Sequence, residues 1–513
     1  MAERNSCQEV DVVVAQVVSG GGRLWVSDGK LHYRAPPGLL SGGLKASLSA
    51  LKDQITAKLA GAASPEAALA AEQNKRIRRA PLSFSQLAHW NVYGLAESPC
   101  VRQIAGAFHL TGPLKVDALT QSIDNAIRRH DALRTRVLVL EGVPIQEVAE
   151  PSQFQLPVED LAAWSRDLQH WEVLRRIEQL IMEPIPAATG PLLGIRLLRL
   201  GEDEHVLAIA MEHMISDQVS LSILTKEIAD GYTQARRGHA ISMESTPLQF
   251  PQYALLQRSS HAAWQLQHGR YWKEQFNGCQ RTRFPESRQG GAPGWDVVPL
   301  VITTELRNSL REWSRRRQTT PVLAAFTAYA ALTLRWCHAP EALFQYVNDG
   351  RSGESVRHTI GYLASPLFLR IALADTDTFA TLLPGVIQEY CNAYAHADHG
   401  YTESLVPRPE YTRNSSFNWI PIASELQFSG LEPGEAISIS PVNFDHPMRR
   451  GLTRDNEPLV LLYDTPTQIV GGVQYPRTRF SLRSMEAYAR NLVAFIERLV
   501  SRPDDLVKDI ALL

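Results

Sequence analysis

Long hydrophobic runs are missing from this sequence. No segment approaches the ~18 uninterrupted apolar residues of a membrane-crossing helix, and the first thirty residues lack the apolar core of a secretion signal. A cytoplasmic protein with no membrane partner is expected. Cysteine is scarce: Cys7, Cys100, Cys279, Cys337 and Cys391 form an odd set with neither paired nor metal-like spacing. Such a set implies free thiols in a reducing compartment. No charge sign dominates either, since 52 basic against 54 acidic residues leave a net charge of −2. The balance gives no support for a nucleic-acid partner. Also absent are the P-loop lysine pattern, a GxSxG elbow, HExxH and a dinucleotide glycine fingerprint, so ATP use, serine hydrolysis and zinc proteolysis have no support. His396, Asp398 and His399, with Cys391 nearby, fit no recognised metal motif, and no metal is expected.

What is present is organised around Ile209-Ala-Met-Glu-His-Met-Ile-Ser-Asp-Gln218. Val206 to Met211 reads as a buried strand that ends abruptly in charge. From Val219 the period becomes helical, with Leu221, Leu224, Ile228 and Tyr232 in step and Gly238 as a stop. Glu212, His213 and Asp217 thus sit at a strand-to-helix corner, with Ser216 or Asp217 as the helix cap. Strand alternation puts His213 on one face with Met211 and Ile209, and Glu212 on the other. The two cannot serve one substrate atom together. His213 suits proton transfer near neutrality, its ordinary pKa being roughly 6.5. On its own, however, such a histidine is more often a hydrogen-bonded structural residue.

Residues 1–61 read as a separate αββα unit. Val10 to Val18 is a short helix candidate. Arg23 to Arg34 is a hairpin turning at Asp28-Gly29, which pairs Val26 with Leu31, Trp25 with His32, Leu24 with Tyr33 and Arg23 with Arg34. One face is apolar; the other carries Arg23, Trp25, Lys30, His32 and Arg34. A long helix follows Pro36-Pro37-Gly38, burying Leu44, Leu48, Leu51, Ile55 and Leu59, with Lys45 and Lys52 on a different side. Residues 62–79 are an Ala-rich, then basic, linker. The unit reads either as a small cap with a solvated basic face or as a peptide-docking module. Beyond it, helices expected at 305–317, 320–337, 377–396 and 482–502 alternate with strands near 341–347, 364–372, 415–421 and 458–464. That alternation indicates a two-layer α/β architecture.

Glu212-His-Met-Ile-Ser-Asp-Gln218 resembles the HHxxxDG signature of condensation domains of nonribosomal peptide synthetases, with Glu212 for the first His and Gln218 for the Gly. Further matches follow in order: Pro81-Leu-Ser-Phe-Ser-Gln86 with Trp90, Arg129-His-Asp-Ala-Leu-Arg-Thr-Arg136, Tyr271-Trp-Lys-Glu-Gln-Phe-Asn-Gly278, and Asn348-Asp-Gly-Arg351 through Arg370. The last departs where the family usually has Val-Asn-Thr. Gly22 to Leu59 similarly resembles the N-terminal β-hairpin docking domains of polyketide and nonribosomal peptide assembly lines.

The resemblance implies an α/β fold: two chloramphenicol-acetyltransferase-like lobes, placed at 80–255 and 256–513, in a V-shaped pseudo-dimer after the docking domain. The active site would lie in a tunnel between the lobes. It implies acyl transfer from a thioester on the 4′-phosphopantetheine arm of a carrier protein, with no cofactor bound by this chain. His213 would be catalytic. Asp217 would pair structurally with Arg351, Gln218 and Asn418 would line the tunnel, and Glu212 would face away from the substrate. The docking unit implies an upstream acyl or peptidyl carrier protein ending in a short linear motif, and the basic face predicts that this tail is acidic. The sequence shows no adenylation or carrier unit, so the expectation is a stand-alone enzyme that releases the chain to a small-molecule acceptor. It resembles family members that release polyketides as esters, and an ester is preferred over an amide. Two rivals remain: a non-catalytic module that recruits a partner to a carrier protein, and an epimerase-type relative.

Overall fold

A computed structural model describes residues 23–27, 30–34, 42–60, 77–93, 104–242, 247–279, 282–286, 294–351, 354–397, 415–421, 428, 435–442 and 457–512. In the N-terminal unit, strands Arg23–Ser27 and Lys30–Arg34 pair in the expected register, Arg23 with Arg34 through Val26 with Leu31. The turn at Asp28-Gly29, the helix candidate at Val10 to Val18 and most of the linker lie outside the described residues. The single long helix is corrected to two segments, Gly42–Ala50 and Lys52–Ala60, meeting at Leu51. Leu51 N still donates to Ser47 O (3.0 Å) and Leu51 O accepts from Ile55 N (2.8 Å), so the backbone remains helically bonded across the junction. Leu48 and Ile55 are buried there, and the second segment packs against the hairpin.

The strand leading to the central motif, Glu204–Met211, is the middle of a five-stranded sheet. Ile104–Thr111 and Leu193–Arg199 pair with it antiparallel, one on each side. Its continuous apolar run reflects cover on both faces. Leu207, Ile209 and Met211 join a cluster with Leu119, Ile123, Leu224 and Ile228 from helices Val116–Arg129 and Gln218–Arg236. The alternate residues Val206, Ala208 and Ala210 meet Val173, Ile177 and Ile181 of helix Arg166–Met182 on the opposite side. Fully burying a Leu, Ile or Val side chain contributes roughly 1.5–3 kcal/mol, so this strand is firmly anchored where the site begins. The neighbouring hairpin, Thr135–Leu140 with Val143–Val148, turns through Glu141 and Gly142 at φ of 50° and 80°. Those positive values are what a two-residue hairpin turn of the right twist demands.

The second half contains a six-stranded sheet in the spatial order Trp295–Ile302, Ile469–Pro476, Leu459–Asp464, Ser416–Pro421, Glu341–Asn348 and Ser365–Ala372. The three strands Glu341–Asn348, Ser416–Pro421 and Leu459–Asp464 run parallel to one another. Helices Thr304–Arg316, Pro321–Trp336, Phe379–Ala395 and Leu482–Ser501 match the expected pattern closely. Pro321–Trp336, capped by Thr320, is buried from Leu323 to Leu334 and forms the centre of the largest apolar cluster.

The halves are joined in two ways that a division at 255 does not anticipate. Helix Phe250–Phe276 runs unbroken through that position. Strand Ser438–Pro441, from the second half of the chain, pairs with Ile104–Thr111 and becomes the edge of the first sheet.

Candidate active site

A cavity of about 800 Å³ lies between the halves, with His213 and Gln218 from the first facing Tyr346, Asn348 and Asn418 from the second. The strand stops at Met211, and His213–Ile215 forms a single tight 3₁₀ turn before the next helix. The alternation expected through His213 is therefore corrected: the tight turn, not the pleat, sets the direction of its side chain. Asp217 rather than Ser216 caps the helix, accepting from Ser220 N at 2.8 Å.

The His213 ring is fixed from two directions. Its Nδ1 lies 2.7 Å from Ser216 O. A carbonyl can only accept, so Nδ1 carries the proton and Nε2 keeps its lone pair. The Tyr362 ring lies against it, with centroids 4.1 Å apart. Burial is the main influence that lowers the His213 pKa below the ordinary value, and the neighbouring His89 adds to it. Glu212, the Ser216 carbonyl and Asp217 oppose the shift without reversing it.

Glu212 is only 2% exposed and does not line the cavity. Its carboxylate accepts from Met214 N and sits 3.1 Å from His89 Nε2. Gln86 Nε2 donates to Met214 O at 2.7 Å, while Gln86 N and Oε1 bond Ser83 at its hydroxyl and amide. The segment Pro81 to Gln86 thus braces the turn that carries His213. The sequence alone points to neither His89 nor Tyr362. His89 lies one helical turn beyond Gln86, and Tyr362 lies inside a quoted motif, but nothing local signals that both rings meet His213.

Asp217 and Arg351 meet across the halves with their side chains 3% and 4% exposed. The carboxylate receives Arg351 Nη1 and Nη2 at 2.9 Å each, Ser220 N and Oγ at 2.8 Å, and Leu363 N and Ala364 N at 3.1 Å. Burial alone would raise the Asp217 pKa. The Arg351 charge and these hydrogen bonds outweigh it and hold the carboxyl below its ordinary value. Arg351 also donates to the carbonyls of Asp349 and Thr359. Behind this, Ser220 Oγ bonds both Gly361 O and Gly361 N. Gly361 has no room for a side chain, since a Cβ there would lie 2.0 Å from the Phe250 ring.

Gln218, at the first helical position, lines the cavity, as does Asn418 on strand Ser416–Pro421. Of the residues expected from sequence to dock a partner, Arg23, Trp25, Lys30, His32 and Arg34 lie on the paired strands, and Lys45 and Lys52 are exposed on the two helical segments. Cys279, Cys337 and Cys391 are free thiols. Among the described residues there is no cluster of three or more potential metal ligands, and no helix is long and apolar enough to cross a membrane.

The condensation-domain family profile matches residues 77–513, and the TubC N-terminal docking domain profile matches residues 13–60. One of the linear gramicidin synthase subunits of Brevibacillus parabrevis is 26% identical over 449 residues, covering 86% of this chain and 9% of that protein. Enniatin synthase of Fusarium equiseti is 29% identical over 335 residues, 63% of this chain and 10% of that protein. The chain thus spans about a tenth of the length of these relatives. Among solved structures, the condensation domain of chain release from the enacyloxin polyketide synthase superposes with a TM-score of 0.67 at 19% identity, covering 96% of this chain and 97% of that one. The X-domain from teicoplanin biosynthesis gives 0.71 at 20% identity, covering 86% and 99%. With profile, fold and an interlobe cavity in agreement, the chain belongs to the condensation-domain family, and it carries a TubC-type docking domain at its N-terminal end.

Proposed function

We propose that the protein transfers an acyl chain from a carrier-protein thioester to a hydroxyl or amine acceptor, and that it releases the chain as an ester to a small molecule. The observation that carries this reading is the His213 ring facing the cavity with Nδ1–H bonded to Ser216 O, which leaves Nε2 as the base. Its lowered pKa keeps that lone pair available at neutral pH.

A thioester is already activated, so holding the reactants together and excluding water supply much of the rate, on the order of several kcal/mol. The thioester enters on the phosphopantetheine arm of the carrier protein, and this chain contributes no cofactor of its own. Nε2 takes the proton from the acceptor O–H while that oxygen bonds to the thioester carbonyl carbon. Collapse of the tetrahedral oxyanion breaks the C–S bond. The departing thiolate recovers the proton from the imidazolium, which returns His213 to neutrality. An alcohol gains more from such a base than an amine, because it begins as a poor nucleophile; this supports the ester. Glu212, turned toward His89 and Met214, is spared any part in the chemistry, so the family's first His is not required for it. The TubC-type segment supports delivery by an upstream carrier protein whose tail binds the basic hairpin.

The test is a carrier protein loaded with an acyl thioester and incubated with the enzyme and a panel of alcohols and amines, followed by intact-protein mass. Discharge by the native enzyme and its loss in His213→Ala are expected. An unchanged acyl load with every acceptor would instead favour the recruitment module.

A further inference from the structure

The cavity has a second charged feature, away from His213 and Asp217. Asp464, at the end of strand Leu459–Asp464, is 8% exposed and accepts from two arginines: Arg307 Nε at 2.7 Å and Arg311 Nη2 at 2.9 Å. Arg307 and Asp464 are both buried and satisfy each other in charge. Arg311 is the surplus cation. Its side chain is 48% exposed, lines the cavity, and engages Asp464 through one terminal nitrogen. A guanidinium held by one corner presents its remaining N–H groups as a preformed fork for an oxyanion.

The topology places this fork in the same cavity as His213. The parallel strands Glu341–Asn348, Ser416–Pro421 and Leu459–Asp464 all end on the cavity side: Asn348 precedes Arg351, the partner of Asp217, and Asp464 holds Arg311. Two strand spacings, roughly 10 Å, separate the first of these strands from the third. His213 and Arg311 line the same cavity, so a small molecule within it can have its reacting end at His213 and its anionic end at Arg311.

We infer that Arg311 is the anchor for a carboxylate on the acceptor, and that the enzyme selects hydroxy acids or amino acids over their neutral analogues. This inference rests on the acyl-transfer reading above. The acyl donor is already held by its arm, whereas a freely diffusing acceptor has only the cavity wall to orient it, so the surplus charge serves the acceptor. Asp464 positions the fork and keeps Arg307 as its own counter-ion when Arg311 is replaced.

The experiment pairs ω-hydroxy acids of four to eight carbons with their methyl esters as acceptors, using wild type, Arg311→Gln and Arg311→Lys. Wild type should favour the acids. Arg311→Gln should raise KM for the acids by about ten- to a hundredfold, the scale of a lost charge-assisted bond, and leave the esters unchanged. Arg311→Lys should recover part of the loss, because it restores charge without the fork. Equal use of acids and esters by wild type, or equal loss of both in Arg311→Gln, overturns the inference. So does a preference confined to carboxylated acyl donors. If wild type transfers to no acceptor, the acyl-transfer reading has failed, and calorimetry with 6-hydroxyhexanoate decides the subsite separately. Binding to wild type that is lost in Arg311→Gln upholds it, and absence of binding to wild type rejects it.

Discussion

Both terminal nitrogens of Arg351 grip the Asp217 carboxylate at 2.9 Å, and the pair joins the helix after His213 to the loop after strand Glu341–Asn348. Removing one partner strands the other charge in a buried site. Asp217→Ala or Arg351→Ala should therefore cost about 3–5 kcal/mol, read by urea denaturation, and the double variant should cost less than the sum. The Asp217 pKa is depressed in the folded protein, so its contribution is complete above the unfolded value of about 3.9 and is lost as pH falls from there through the folded value. A denaturation midpoint unmoved by either substitution would remove the pair from the account of the fold.

His213 should separate activity from stability. His213→Ala is expected to reduce transfer by about 10²–10⁴-fold, the usual worth of a positioned base, with the fold intact by circular dichroism. Because burial lowers its pKa, the acidic limb of kcat against pH should fall below the ordinary value of about 6.5. The same depression means the unfolded chain binds this proton more readily. Its stabilising contribution is thus present above about pH 6.5 and lost as pH falls. A limb at or above that value contradicts the assignment.

Gly361→Ala should be felt at a distance. Its new methyl would need the space of the Phe250 ring, 2.0 Å away, and must displace either the helix start or the backbone of Tyr362. A destabilisation of about 1–3 kcal/mol is expected, with a lower kcat because the Tyr362 ring packs against His213. Unchanged stability and kcat together would show that the close approach is not felt.

On the docking unit, Lys45→Glu with Lys52→Glu changes two exposed positions and should alter stability by no more than about 0.5 kcal/mol. Transfer from a carrier protein bearing its native tail should weaken several-fold and lose part of its salt dependence. Transfer from a small thioester mimic should not change. Deleting residues 1–61 should show the same contrast more strongly, and equal loss for both donors would refute docking through this unit.

Features with a local cause were legible in the sequence. The hairpin register follows from a two-residue turn, and the four helices of the second half follow from their apolar period. The strand-to-helix corner at His213 showed as a change of period, and the pairing of Asp217 with Arg351 came only through family resemblance. Less legible were features created by long-range pairing. Ser438–Pro441 alternates Ser-Ile-Ser-Pro over only four residues, too short a run to mark a strand, and its partner lies more than three hundred residues earlier. The rings of His89 and Tyr362 reach His213 from separate segments, so no spacing reveals them. Leu51 interrupts a helix whose apolar stripe continues across it, and periodicity cannot register such a break.

The borrowed edge strand has a consequence for anyone dissecting the molecule. Residues 438–441 close the outer border of a sheet otherwise built from residues 104–211. Cleavage between positions 242 and 247 would not yield two free-standing pieces: the first would expose the unpaired backbone of Ile104–Thr111, an invitation to aggregate, and the second would carry a strand with nothing to join. The same pairing stitches the two sheets to each other at this border.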